Sequence, residues 1–210
     1  TSVSSAAQTF TVSKASQSSL INVGASTTAW PATLGLTITG GSGTGALAYS
    51  ISSAGTAGCS VGASSGIVTP TTAGTCDIAI TRAADTNYNI SSTLTPTVTF
   101  AQASQSALTT TAQTVTYPAA FSNAATTGGS GTGAVTYALT SAGTAGCSVT
   151  SGGVISYANA GTCTITATKA ADTSYNATSS SAATFTISKG DQSLLSVTNA
   201  TGTFPTGFTF

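Results

Sequence analysis

The chain repeats itself, and this limits its possible folds more than any other feature. "SAGTAGCSV" at Ser53 to Val61 returns at Ser141 to Val149, 88 residues later. "AGTC" from Ala73 returns from Ala160, and "AADTNYN" from Ala83 becomes "AADTSYN" from Ala170. "KASQSSL" from Lys14 becomes "QASQSAL" from Gln102 and then "KGDQSLL" from Lys189. An aromatic–proline pair recurs as Trp30-Pro31, Tyr117-Pro118 and Phe204-Pro205. Self-similarity at a fixed period marks tandem units that stack or follow one another. The spacing predicts two whole repeats, 15–102 and 103–189. Residues 1–14 match the last strand of a preceding repeat, and 190–210 the start of a further one.

Within each repeat the apolar period is two. Leu47, Tyr49 and Ile51 alternate with Ala48 and Ser50, and Val135, Tyr137 and Leu139 repeat the pattern. Cys76, Ile78 and Ile80 share one strand face, and Cys163, Ile165 and Ala167 repeat it. Leu34, Leu36 and Ile38 mark another strand. Phe10 with Val12, Val98 with Phe100, and Phe185 with Ile187 mark the closing strand of each unit. Strands that alternate in this way, divided by Gly, Pro, Ser and Asn turns, predict an all-β antiparallel sandwich.

Composition removes whole classes of chemistry. The 210 residues include 4 Lys or Arg, 4 Asp, no His and no Glu. Without His the usual proton shuttle and commonest metal ligand are missing, and no Ser, Thr or Lys has a visible base to activate it. The acids Asp77, Asp85, Asp172 and Asp191 are too scattered to form a calcium cage. No catalytic, cofactor-binding or metal-ligating residue is expected. Zero net charge gives no basic footprint for nucleic acid, and no apolar run reaches the length of a membrane-spanning helix.

Four cysteines occupy equivalent places. They pair naturally as Cys59–Cys76 and Cys147–Cys163, with buried free thiols as the alternative. Disulfides point to an oxidising compartment, and a chain without an initiator Met or a visible signal peptide reads as an excerpt of a longer exported protein.

Two stretches invite a ligand-site reading. In "GGSGTGALAYS", residues 40–50, Gly41, Gly43 and Ala46 fit the spacing of a dinucleotide-binding turn. That turn must open a helix whose N-terminus holds the phosphate, whereas Ala46 leads into a period-two strand. A strand-to-strand turn with positive φ at glycine fits better. The second stretch is Arg82, Asp85, Tyr88 and Asn89, matched by Lys169, Asp172, Tyr175 and Asn176. It reads as a structured connection before the last strand: Asp accepts local backbone hydrogen bonds, the cation lies nearby, and Tyr packs inward in the manner of a tyrosine corner. Trp30-Pro31 and Tyr117-Pro118 are expected to pack at a domain end. Asn89-Ile-Ser91, Asn176-Ala-Thr178 and Asn199-Ala-Thr201 match the N-glycosylation pattern, as chance allows in so Ser- and Thr-rich a chain.

"GTCTITATKAADTSYNATSS", followed by "FTISKGDQ", resembles the tandem bacterial immunoglobulin-like (Big-type) repeats of large cell-surface and adhesin proteins. The "K-A-x-Q" start and the "A-D-x-x-Y-N" end carry the resemblance, and Gln102 departs from it. The resemblance implies tandem immunoglobulin-like sandwiches on the bacterial cell surface, outside the cell, with no shared catalytic residues. The expected function is a non-enzymatic stalk, adhesin or fibre module whose partners are neighbouring repeats of the same chain. The rival readings are a module that binds a carbohydrate or another host or cell-surface ligand, and the protomer of a self-assembling filament.

Overall fold

The computed structural model describes residues 4–197. Phe204, Pro205 and the Asn199 pattern lie outside them. The first repeat forms β1 (Leu20–Asn22), β2 (Thr27–Ala29), β3 (Leu34–Gly35), β4 (Ile38–Gly40), β5 (Leu47–Ser53), β6 (Ser60–Val61), β7 (Ile67–Thr69), β8 (Gly74–Arg82) and β9 (Thr97–Ala101). On one side β1 pairs with β4, and β3 pairs with β7, which pairs with β6, all antiparallel. The other side is a sheet in the order β2-β9-β8-β5, with β2 parallel to β9 and the remaining pairs antiparallel. These are the two strand groups of an immunoglobulin-like sandwich, with the first strand divided between the layers.

The second repeat forms β10 (Leu108–Thr110), β11 (Gln113–Thr116), β12 (Thr126–Gly128), β13 (Val135–Ser141), β14 (Ser148–Val149), β15 (Ile155–Ser156), β16 (Gly161–Lys169), β17 (Thr178–Ser179) and β18 (Ala183–Ser188). Its larger sheet runs β11-β18-β16-β13, again with a parallel first pair. A short β17 adds to β16. All the named elements are strands, so the fold is the all-β class read from the alternation.

Period two decides what is buried, because successive strand side chains point to opposite faces. Along β8, Cys76, Ile78 and Ile80 are buried, and they meet Val98 and Phe100 of β9, Leu20, Leu34, Leu36 and Val68 in one core. A second core gathers Cys163, Ile165, Ala183, Phe185 and Ile187. Phe100 and Phe185 are the largest fully buried side chains in these cores, each stabilising by roughly 1.5–3 kcal/mol relative to exposure.

By packing, the described residues divide into two compact units: those within 1–109, 126–136 and 167–181, and those within 110–125, 137–166 and 182–210, the residues outside 4–197 apart. Residues 4–14 differ from the strand expected there. They carry no strand, and Phe10 and Val12 are 89% and 95% exposed, because no neighbouring strand lies beside them among the described residues. Residues 191–197 likewise form no strand, and Leu194 and Leu195 are exposed.

Both disulfides are formed, Cys59–Cys76 and Cys147–Cys163. Cys76 lies near the start of β8, an interior strand of its sheet, and Cys59 directly precedes β6, a two-residue strand at the edge of the opposite layer. The bond therefore fastens the weakest edge of the sandwich to its best-buried strand. With a loop separation of 17 residues, the chain-entropy model gives about 3 kcal/mol. Urea unfolding with and without reductant is expected to show a loss of that order, with each sandwich still folded when reduced. Unchanged midpoints would remove the disulfides from the stability of the fold.

Candidate functional site

The glycine turn between β4 and β5 does surround an anion, and the anion belongs to the chain itself. The Thr44 N–H donates to Asp85 Oδ2 at 2.6 Å, and Thr44 Oγ1–H adds a second bond at 3.3 Å. The other carboxylate oxygen, Oδ1, accepts the N–H groups of Asn87 and Tyr88 at 2.9 and 2.8 Å. In the second repeat Asp172 does the same with Thr132, Ser174 and Tyr175. Each carboxylate thus closes its own connection and ties it to a turn about forty residues away in sequence.

Close approach explains the glycines. Gly40 and Gly41 have φ of 85° and 70°, a region costly for other residues. A Cβ on Gly43 would lie 2.6 Å from Asp85 Oδ2, and one on Gly45 would overlap the Ala83 carbonyl oxygen. Gly131 and Gly133 face Asp172 and Ala170 in the same way.

Arg82 does not pair with Asp85. Its Nη1 and Nη2 donate to the Gly45 and Gly40 carbonyls at 3.0 and 3.3 Å, while Nε is buried without a partner. In the other copy, Lys169 lays its methylenes against Gly129. The cation position therefore braces the turn through its carbonyls or its stem.

Sequence reasoning missed Gln17 and Gln105. Gln17 Nε2 donates to the Ala83 and Asn89 carbonyls at 3.1 and 2.8 Å, and its Oε1 accepts from the Gly43 N–H. Gln105 repeats these contacts with Ala170, Asn176 and Gly131. The signal was the "A-S-Q" common to the first two repeat starts, read as punctuation rather than as a clamp. Lys14 and Gln102 also prove equivalent in use, each donating to the backbone carbonyl of its connection's Asp. Asn89 and Asn176 spend their side-chain amides on the Lys14 and Gln102 carbonyls.

The tyrosines differ from the tyrosine-corner reading. Tyr88 and Tyr175 are partly buried, and neither hydroxyl makes a hydrogen bond among the described residues. Tyr175 instead sets its ring edge-on to Trp30, with centroids 5.2 Å apart, an arrangement worth ~0.5–1.5 kcal/mol beyond burial. Beside it, the Ala73 N–H donates to Ser174 Oγ at 3.4 Å. Trp30 Nε1–H reaches the Thr71 carbonyl at 3.3 Å. Pro31 and Pro118 follow cis peptide bonds in turns after β2 and β11. Tyr117 packs edge-on to Tyr157. Among the described residues no cluster of three or more His, Cys, Asp or Glu side chains is placed to hold a metal ion, and no helix is long and apolar enough to cross a membrane.

No family model matches the chain, and no curated protein matches it. Among solved structures, human protocadherin-24 EC1-2 is 12% identical, covering 84% of this chain and 98% of that one, at a TM-score of 0.36. Drosophila N-cadherin EC1-3 is 11% identical over 75% of this chain and 60% of its own, at 0.31. The protocadherin GammaB4 extracellular domain is 11% identical over 81% of this chain and 34% of its own, at 0.36. Likeness of this degree brings no property of a cadherin to this chain.

The carboxylates have a signed effect on stability. The Thr44 N–H, followed by those of Asn87 and Tyr88, holds the Asp85 carboxyl below the usual carboxylate range. Thr132 and then Ser174 do so for Asp172. A folded-state pKa below the unfolded value of about 3.9 means that the contribution is fully present above it and is lost as pH falls through the folded value. Thermal unfolding of wild type from about pH 6 down to about pH 2 should show that loss, and D85N/D172N should flatten it; equal slopes would contradict the assignment. G45A is expected to cost ~1–3 kcal/mol. G35A, which meets nothing within 4 Å, should change stability by less than about 0.5 kcal/mol.

Proposed function

We propose that the chain is a non-enzymatic structural module of an extracellular bacterial surface protein, in which disulfide-stapled immunoglobulin-like repeats extend or display a part lying elsewhere. The observation that carries this reading is the absence of slack between the repeats. Ala101, at the end of β9, accepts a hydrogen bond from Trp30 N–H at 2.9 Å. Ala103 already belongs to the next repeat's connection, donating to the Ser174 carbonyl and accepting from Asn176 N–H at 2.9 Å each. Gln102 alone stands between them. Flexible tethers are built from runs of Gly and Ser, and none is present here.

Chemistry favours the same reading. No His or Glu exists in the sequence, and the Asp85 and Asp172 carboxylates already accept four internal hydrogen bonds each. A group so occupied is a poor general base. The disulfides suit an oxidising, extracellular setting. Neighbouring repeats of the same chain are the partners that this design needs.

Small-angle scattering on the two-repeat chain tests the proposal. A narrow, extended distance distribution is expected for the wild type, and W30A should broaden it by releasing Tyr175. A broad spread of dimensions in the wild type would sink the stalk mechanism.

A further inference from the structure

Within the first compact unit, the contact between Trp30 and Tyr175 leaves a pocket beside it. Its volume is about 210 Å³, and Trp30, Thr132, Asp172, Thr173, Ser174 and Tyr175 are among the residues that line it. The turn after β2 brings Trp30, the glycine turn before β13 brings Thr132, and the connection after β16 brings the rest. All six belong to the same unit. Both rings are half-buried, and they stand at 84° to each other, so they meet as two walls of a corner. The space is smaller than the ~300 Å³ at which drug-sized sites begin, and suits a single sugar ring.

The lining narrows the chemistry of an occupant. No Lys or Arg is among its described lining residues, so an anionic group would meet only the negative Asp172. That carboxylate already accepts the Thr132 N–H and hydroxyl and the Ser174 and Tyr175 N–H groups. A carboxylate has about four lone-pair sites, which leaves none to ligate a metal ion. The groups still free are neutral hydroxyls. Thr173 is exposed and its hydroxyl has no partner among the described residues. Ser174 Oγ accepts the Ala73 N–H at 3.4 Å, and its own proton is unspent. Thr132 Oγ1 gives its proton to Asp172 Oδ2 and keeps lone pairs to accept with. Beside these stand aromatic rings, whose negative faces attract weakly positive C–H groups. A pyranose presents both complements, a rim of hydroxyls and a face of C–H bonds. We propose that this pocket binds one neutral sugar residue of a glycan, its C–H face against the aromatic corner and its hydroxyls on Thr132, Thr173 and Ser174.

This goes beyond the structural-module reading and does not rest on it. Trp30 is the sole tryptophan of the sequence, so its emission reports on this pocket directly. Titration of the intact chain with the methyl glycosides of glucose, galactose and mannose is the test. At least one should shift the emission saturably, with half-saturation at about 1–10 mM, since roughly a dozen non-hydrogen atoms support no tighter binding at ordinary ligand efficiency. The uronate of the sugar that binds best places a second negative charge beside Asp172 and should bind about fivefold more weakly at low salt. T173A removes one exposed hydroxyl and should weaken binding by about threefold or more, while T173Y, which fills the pocket, should abolish the shift. No saturable shift with any of the three sugars, a uronate that binds as tightly, or a shift that T173A and T173Y leave unmoved overturns the proposal. Scattering by the sugar-free chain is untouched by all these outcomes, so the module reading is judged separately.

Discussion

The fold depends on a carboxylate held by backbone amides rather than, among the described residues, by an ion pair. Asp85 and Asp172 each gather three backbone N–H groups and a hydroxyl, with two of those N–H groups from their own connection and one from a distant glycine turn. Backbone amides supply three of the four donors to each acid in a chain with only four cations. The half-exposed acid is held in place by these amides, and a turn with so many glycines would otherwise be loose. Each steadies the other. Gln17 and Gln105 complete the arrangement by bonding to both partners at once.

Above this layer of hydrogen bonds, the sandwich follows ordinary rules. Strand alternation sends Ile78, Ile80, Val98 and Phe100 into one core and leaves Thr and Ser outside. The disulfide then joins a short edge strand to the central one. Such a chain can remain folded with almost no surface charge, because its cores are apolar and its turns are held by hydrogen bonds to backbone groups.

Much of this was legible in the residues. The 87- to 88-residue repeat, the period of two and the equivalent cysteines lead directly to tandem β-sandwiches with one bridge each. The glycine stretch reads as a strand-to-strand turn, yet the internal carboxylate that it holds was invisible, since Thr44 and Asp85 are forty-one residues apart. Local reading places Asp85 in its own connection and finds the Oδ1 bonds. It has no means of finding the Oδ2 bond. Tyrosine in the connection suggested an inward-packed side chain, whereas Tyr175 turns to Trp30, whose sequence neighbours give no sign of it. Phe10 and Val12 show the opposite limit: alternation marks a strand only where another strand is available to pair.

The parallel pairing of β2 with β9, and of β11 with β18, has a mechanical consequence. The first strand of the larger sheet lies alongside the last, so tension applied at the two ends of a repeat draws them past each other along their lengths. The backbone bonds joining them are then loaded together rather than opened one after another like a zipper. Behind this clamp, the cystine limits how far the chain can pay out if the clamp slips. A repeat built in this way resists being pulled along its axis more strongly than its modest core would suggest.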